Sequence, residues 1–341
     1  MDKEHLDNNH PENKHQENKH PEKKYLKNKY LLVLSAGHAF TDMSQGALPA
    51  MLPFIIAAGG LGYAQAAGLT FAVALASSLT QPVFGIMADK ISTTWLLPLG
   101  VLLSGCCLSL IGFFPSHYWL MFLVALISGI GVAAYHPEGA RMANRLAGEK
   151  KAGSMSIFSV GGTVGMASGP LIVTPAMIYI GLRGSAVLAI LPILMCVTLL
   201  LLNPVMRRLI ETKEKEQVDI NVEFKNEWGK FLWLSIAIIS RSIINQCLNT
   251  FLPLYWLNVL HQSKAASGMI VSYTIFMGAI VNLLGGHIAD RFGMNKIIRI
   301  GWILLLPSIF FLTKITNPIP AMLMLVPITM GNYLLVTPLI V

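Results

Sequence analysis

Apolar positions fill this chain in long blocks separated by short polar stretches. The blocks predict ten helical spans, at about 30–59, 65–88, 95–115, 117–140, 152–178, 183–203, 229–258, 265–288, 296–314 and 319–341. A run of roughly 18 or more apolar residues is long enough to cross a bilayer. Each span is expected to be a helix, because a backbone facing lipid must satisfy its own hydrogen bonds.

Composition agrees with this pattern. Hydrophobic residues make up 54% of the 341 and charged residues 12%, about half the ~25% usual in soluble domains. The mean hydropathy is +0.60. The charges are also unevenly placed. Of the 25 Lys and Arg, 21 fall in the N-terminal tail or in loops expected on its side of the membrane, and only 3 in the opposite loops. Positive loops stay inside, so the N-terminus is expected in the cytoplasm. The net charge of +8 is then explained without a nucleic-acid partner. No cleaved signal peptide is expected. Cys106, Cys107, Cys196 and Cys247 lie in apolar runs without metal-ligand spacing, so no metal or cofactor is expected.

Polar segments divide the chain into parts. Residues 1–28 repeat a five-residue unit (His10 to Lys14, His15 to Lys19, His20 to Lys24) and are expected to form a disordered cytoplasmic tail. Its histidines could bind metal weakly, or the tail could simply be solvated. Residues 29–203 are expected to form a six-helix bundle. A cytoplasmic linker at 204–228 follows, then a four-helix C-terminal part at 229–341. The two parts repeat at an offset of 201: Gly85, Ala88, Asp89 and Lys90 align with Gly286, Ala289, Asp290 and Arg291, Gly100 with Gly301, and Gln45 with Gln246. Repeats flanking a central linker point to a secondary transporter. The same offset would carry a twelfth span to near residue 404, whereas the sequence ends at Val341. Spans eleven and twelve are expected to be missing, which leaves a truncated or frameshifted reading frame, an inactive remnant or a ten-span transporter as readings.

The loop motif G-x-x-x-D-[RK], at Gly85 to Lys90 and again at Gly286 to Arg291, resembles the signature of the major facilitator superfamily. Narrower stretches resemble the fosmidomycin-resistance type of bacterial efflux protein, among them "GHAFTDMSQGALPAMLPF", "LTQPVFGIMADK" and "GIGVAAYHPEGARMANR". The resemblance implies an all-α membrane protein in which two helical bundles rock about a central cavity. It also implies a monomer in the bacterial inner membrane that moves a small molecule against protons. In this family the loop residues Asp89, Lys90, Asp290 and Arg291 serve the conformational change. Gly161, Gly165, Gly169 and Pro170 resemble the fifth-helix pattern of drug–proton antiporters. On their own, glycines spaced by four make only a smooth packing face.

Charged residues within the spans are the functional candidates. Asp42 and Arg241 each lie about twelve residues into a span, near mid-depth. An arginine at the centre of a span costs roughly 2.5–3.5 kcal/mol on insertion scales, so it needs a cavity or a partner. Asp42 and Arg241 are therefore expected to face each other, either for transport or as an ion pair joining the halves. His38 and Gln45 share the Asp42 face of their helix, and Pro49 and Pro53 could bend its outer part. His136, Glu138 and Arg141 form a second expected group, with Glu138 and Arg141 paired as a gate, a relay or an interfacial ion pair. Asp42, His38 and Glu138 are the candidate proton carriers, and Arg241, Gln45, Gln246 and His136 the candidate substrate ligands. Proton-coupled export of a small polar or anionic drug or metabolite is the leading expectation. Uptake by proton symport shares the architecture. An enzyme is disfavoured, because no nucleophile–base pair or metal cluster is visible.

Overall fold

Helix is the only regular structure that these apolar runs can form in lipid without stranding backbone groups, and among the described residues every regular element is helical. The structure, a computed structural model, describes residues 21–59, 61–90, 93–147, 151–214 and 228–335. The N-terminal half comprises α1 (Pro21–Gly59), α2 (Tyr63–Lys90), α3 (Leu96–Ser109), α4 (Tyr118–Ala147), α5 (Lys151–Ile180) and α6 (Ile190–Glu214). The C-terminal half comprises α7 (Trp228–Asn258), α8 (Lys264–Phe292), α9 (Met294–Leu312) and α10 (Pro318–Leu334). By length and composition, six stretches among the described residues could cross a membrane, and one of them, Ile157–Arg208, runs through both α5 and α6.

Several boundaries differ from those read in the sequence. Helix α1 begins at Pro21, inside the stretch expected to be a disordered tail, and continues through Pro49 and Pro53 to Gly59. Helix α6 continues to Glu214, inside the expected linker. The third and sixth spans each include a 3-10 segment, at Leu110–Phe113 and Gly181–Ala189. The second opens on Gly181, whose φ of 73° is a left-handed conformation that glycine adopts without strain. The remainder of the tail, residues 215–227 of the linker and residues 336–341 lie outside the described residues.

The sequence repeat is matched by a repeated contact. A first side-chain carbon on Gly100 of α3 would lie 2.8 Å from the Gly131 carbonyl oxygen of α4. In the other half, the same carbon on Gly331 of α10 would lie 2.8 Å from the Gly301 carbonyl of α9. Both pairs let two backbones approach where any larger residue would hold them apart.

The tightest pairing positions the functional site. Gly161, Gly165 and Gly169 of α5 press against the backbone of Ser35, Ala39 and Met43 of α1, one glycine per turn, and in return Gly46 of α1 presses on Met166. Contacts between the halves gather toward the ends of the helices away from the tail. Thr70 of α2 bonds Thr250 of α7 at 3.0 Å, and Ser272 of α8 donates to the Ala167 carbonyl of α5 at 2.7 Å. Gly268 of α8 abuts Thr174, and the Lys264 ammonium lies 5.6 Å from the Phe54 ring centre. Leu254 of α7 completes the apolar core of the N-terminal half at this end, with Met51, Leu52 and Ile55.

Candidate functional site

Asp42 is the centre of a buried polar cluster, with only 7% of its surface exposed. Gln45, one turn along α1, donates from Nε2 to its Oδ1 at 3.0 Å. His136 reaches the same oxygen from α4, with Nε2 at 2.9 Å. His38, one turn back on α1, sets its Nε2 3.2 Å from Oδ2. The other ring nitrogen of His38 faces a backbone carbonyl, that of Phe158 on α5, at 2.8 Å. A carbonyl only accepts, so Nδ1 is the donor in this contact. The two imidazoles meet edge to face with ring centres 4.9 Å apart, and the Phe158 ring stacks on His38 at 4.3 Å.

The local sequence accounts for this arrangement. The i, i+4 and i, i+3 spacings place His38 and Gln45 on either side of Asp42 along one helix face. Gly162 leaves space beside them, because a first side-chain carbon there would fall 2.5 Å from the His38 ring and 2.7 Å from Asp42 Oδ2. Tyr135, fully buried next to His136, donates to the Leu34 carbonyl at 2.7 Å and ties α4 to the start of this face. A charge in the middle of a span costs about 2.5–3.5 kcal/mol. Hydrogen bonds to a charged group return about 1.5–3 kcal/mol each, so two or three of them are enough to hold the carboxylate.

The expected pairing of Asp42 with Arg241 is not found among the described contacts. The carboxylate is occupied by donors from its own half. The Arg241 Nε donates instead to the Asn332 carbonyl of α10 at 3.2 Å. Asn332 in turn donates from Nδ2 to Asn245 Oδ1 of α7 at 2.7 Å, while its buried Oδ1 has no described partner. Asn245, Asn249, Thr274, Thr329 and Asn332 line a small pocket beside this cluster. Gln246 is half-buried on α7.

The expected group of His136, Glu138 and Arg141 also separates. Two residues are about 200° apart around a helix, so His136 faces α1 while Glu138 turns the other way. Glu138 is fully buried and takes two bonds from Arg141, at 3.0 and 2.8 Å. Thr93, just before α3, donates to its Oε2 at 2.6 Å. Replacing Glu138 with Gln leaves Arg141 without its counter-charge, which for a buried pair costs about 3–5 kcal/mol. Thermal unfolding in detergent should show Glu138→Gln melting well below both wild type and Thr93→Val, which removes a single hydroxyl. Equal melting of the two variants would contradict a structural role for this pair.

Among the remaining candidates, Pro170 is buried within α5 below the glycine stripe. Arg291 is exposed at the end of α8, with its guanidinium 5.6 Å from the Phe292 ring centre. The side chains of Asp89, Lys90 and Asp290 lie outside the described residues. Sequence reasoning missed the His136–Asp42 contact and the parts of Phe158, Gly162 and Tyr135. No metal ligands are expected from the sequence; His38, Asp42 and His136 offer three ligand-type atoms that lie within 4.8 Å of one another.

Comparison with known proteins places this geometry in context. The chain is 27% identical over 274 residues to the uncharacterized MFS-type transporter YfnC of Bacillus subtilis (strain 168), covering 79% of this chain and 67% of that protein. It is 28% identical over 272 residues to the fosmidomycin resistance protein of Escherichia coli (strain K12), covering 78% and 66%. The chain thus spans about two thirds of the length of the curated relatives it matches. Its fold superposes on a bacterial homolog of the human lysosomal transporter Spinster, in an inward-facing and unoccupied conformation, with a TM-score of 0.73 at 17% identity. That match covers 92% of this chain and 74% of the other. The sequence profile described as Major Facilitator Superfamily matches residues 34–341, and the chain belongs to that superfamily.

Proposed function

We propose that this membrane transporter is a secondary active exporter that releases a small polar or anionic drug or metabolite in exchange for protons. One observation carries the reading: each half holds a charged residue at mid-span in a polar cluster, Asp42 on α1 and Arg241 on α7. Asp42, with His38 beside it, holds the counter-ion. Arg241 takes the anionic group of the substrate, since a guanidinium suits carboxylate and phosphonate oxygens. Gln45, Gln246 and His136 complete the substrate contacts, and Glu138 with Arg141 fastens the tail side of α4. All of α1 to α10 cross the bilayer, with the tail in the cytoplasm. The contacts between halves gather at the far ends of the helices, which suits a state open toward the tail. The name of the Escherichia coli relative favours export over uptake.

The test is flux in proteoliposomes with an imposed proton gradient and fosmidomycin as the first substrate. Export predicts accumulation on the side that releases protons, and Arg241→Gln should reduce it sharply at low substrate by weakening binding more than ~tenfold, over about 1.4 kcal/mol. Movement in the same direction as the protons would establish symport instead. Undiminished transport by Arg241→Gln would remove the arginine from the substrate site.

A further inference from the structure

We propose that His38, Asp42 and His136 form a binding site for a divalent transition-metal cation of the zinc, cobalt or nickel class. Two imidazole nitrogens and one carboxylate are a ligand set that suits these borderline ions, and three protein ligands leave one position open. The spacing fits as well. Metal–ligand bonds of about 2.0–2.2 Å at tetrahedral angles put neighbouring ligand atoms about 3.3 Å apart. Here the His38 and His136 Nε2 atoms lie 3.2 and 2.9 Å from the Asp42 oxygens, and all the ligand atoms lie within 4.8 Å.

The surroundings provide a second, independent indication. A ligating histidine almost always donates its other ring N–H to a carbonyl or carboxylate, which fixes the tautomer and aims the free lone pair at the metal. His38 is held in this way, with Nδ1 on the Phe158 carbonyl at 2.8 Å. When His38 is neutral, its Nε2 lone pair faces Asp42 Oδ2 at 3.2 Å, and a divalent cation between them makes that contact favourable as a proton does in the metal-free protein. Gln45 fixes the carboxylate through Oδ1 at 3.0 Å. Gly162 keeps the space beside both groups clear of any side chain. The cluster is also reachable, because 22% of the His136 side chain is exposed. The inference gives a further ligand to the cluster that the export reading uses, and Co2+ binding reads it without any transport assay.

The experiment uses the full chain with tail histidines His5, His10, His15 and His20 replaced by Gln, which removes the competing imidazoles of the tail. Purified in detergent, this protein is titrated with Co2+ and followed by visible absorption, then challenged with Zn2+. The expected result is one Co2+ per chain, with the intense bands of a low-coordinate ion, displaced by Zn2+. His136→Gln and Asp42→Asn should each weaken binding by ten- to a hundred-fold while the circular dichroism of the helices is unchanged. No stoichiometric Co2+ uptake by the tail-substituted parent would overturn the proposal, whatever the variants do. So would uptake that well-folded His136→Gln and Asp42→Asn proteins retain in full.

Discussion

Asp42→Asn is expected to reduce gradient-driven export to background while leaving substrate binding within ~tenfold of wild type, a difference of no more than about 1.4 kcal/mol. The reasoning follows the hydrogen bonds. An asparagine oxygen in place of Oδ1 still accepts from Gln45 and His136, now at 3.0 and 2.9 Å. Its amide, in place of Oδ2, donates into the Nε2 lone pair of a His38 whose Nδ1 is committed to Phe158. The shape and bonding of the cluster therefore persist, and the variant should fold. Only the negative charge that pairs with a transported cation is lost. Arg241, in the other half and bonded to the Asn332 carbonyl, is untouched, so the substrate keeps its anchor. Accumulation in proteoliposomes and equilibrium binding, measured on one preparation, separate the two effects. Uphill accumulation by Asp42→Asn vesicles driven by a proton gradient alone would mean that the counter-ion binds elsewhere.

The sequence made the architecture readable because lipid imposes a simple rule on it. Apolar length marks the helices, and the offset of 201 pairs Gly100 with Gly301, glycines that meet Gly131 and Gly331 in the structure. The glycine stripe at 161, 165 and 169 was legible for the same reason, since spacing by four defines one face. The partners of buried charges were harder to read. Helical spacing shows which face a residue occupies but not which helix that face meets. His136 lies 94 positions from Asp42, and Asn332 lies 91 from Arg241. The cost of an arginine at mid-span, with a shared depth, suggested Asp42 and Arg241 as partners, whereas the described contacts hold each within its own half. Helix geometry by itself separates His136 from Glu138, because residues two apart point in nearly opposite directions.

Gly165→Leu is expected to abolish transport in a protein that still inserts, and to lower its melting temperature. In a bilayer, helices associate through close van der Waals packing and interhelical hydrogen bonds, because lipid tails are as apolar as leucine side chains. The α1–α5 contact depends on the absence of side chains along the glycine face. A first side-chain carbon on Gly165 would overlap the Ala39 carbonyl, and one on Gly161 or Gly169 would overlap the carbonyl of Ser35 or Met43. The obstruction is backbone, which cannot turn aside as the tip of a flexible side chain would. Overpacking of this kind costs about 1–3 kcal/mol when neighbours can shift, and leucine on this face demands a larger shift than alanine. Its effect extends to the Asp42 cluster, because the same helix carries the Phe158 carbonyl that holds His38 and the gap at Gly162 beside it. Moving α5 outward therefore loosens the site as well as the packing. Gly229→Ala is the matched control, since a side-chain carbon there meets nothing within 4 Å and the residue belongs to neither loop motif. Thermal unfolding and export assayed side by side should show Gly229→Ala close to wild type, Gly165→Ala intermediate and Gly165→Leu inactive. Wild-type export by Gly165→Leu would mean that α1 and α5 do not need this contact during the transport cycle.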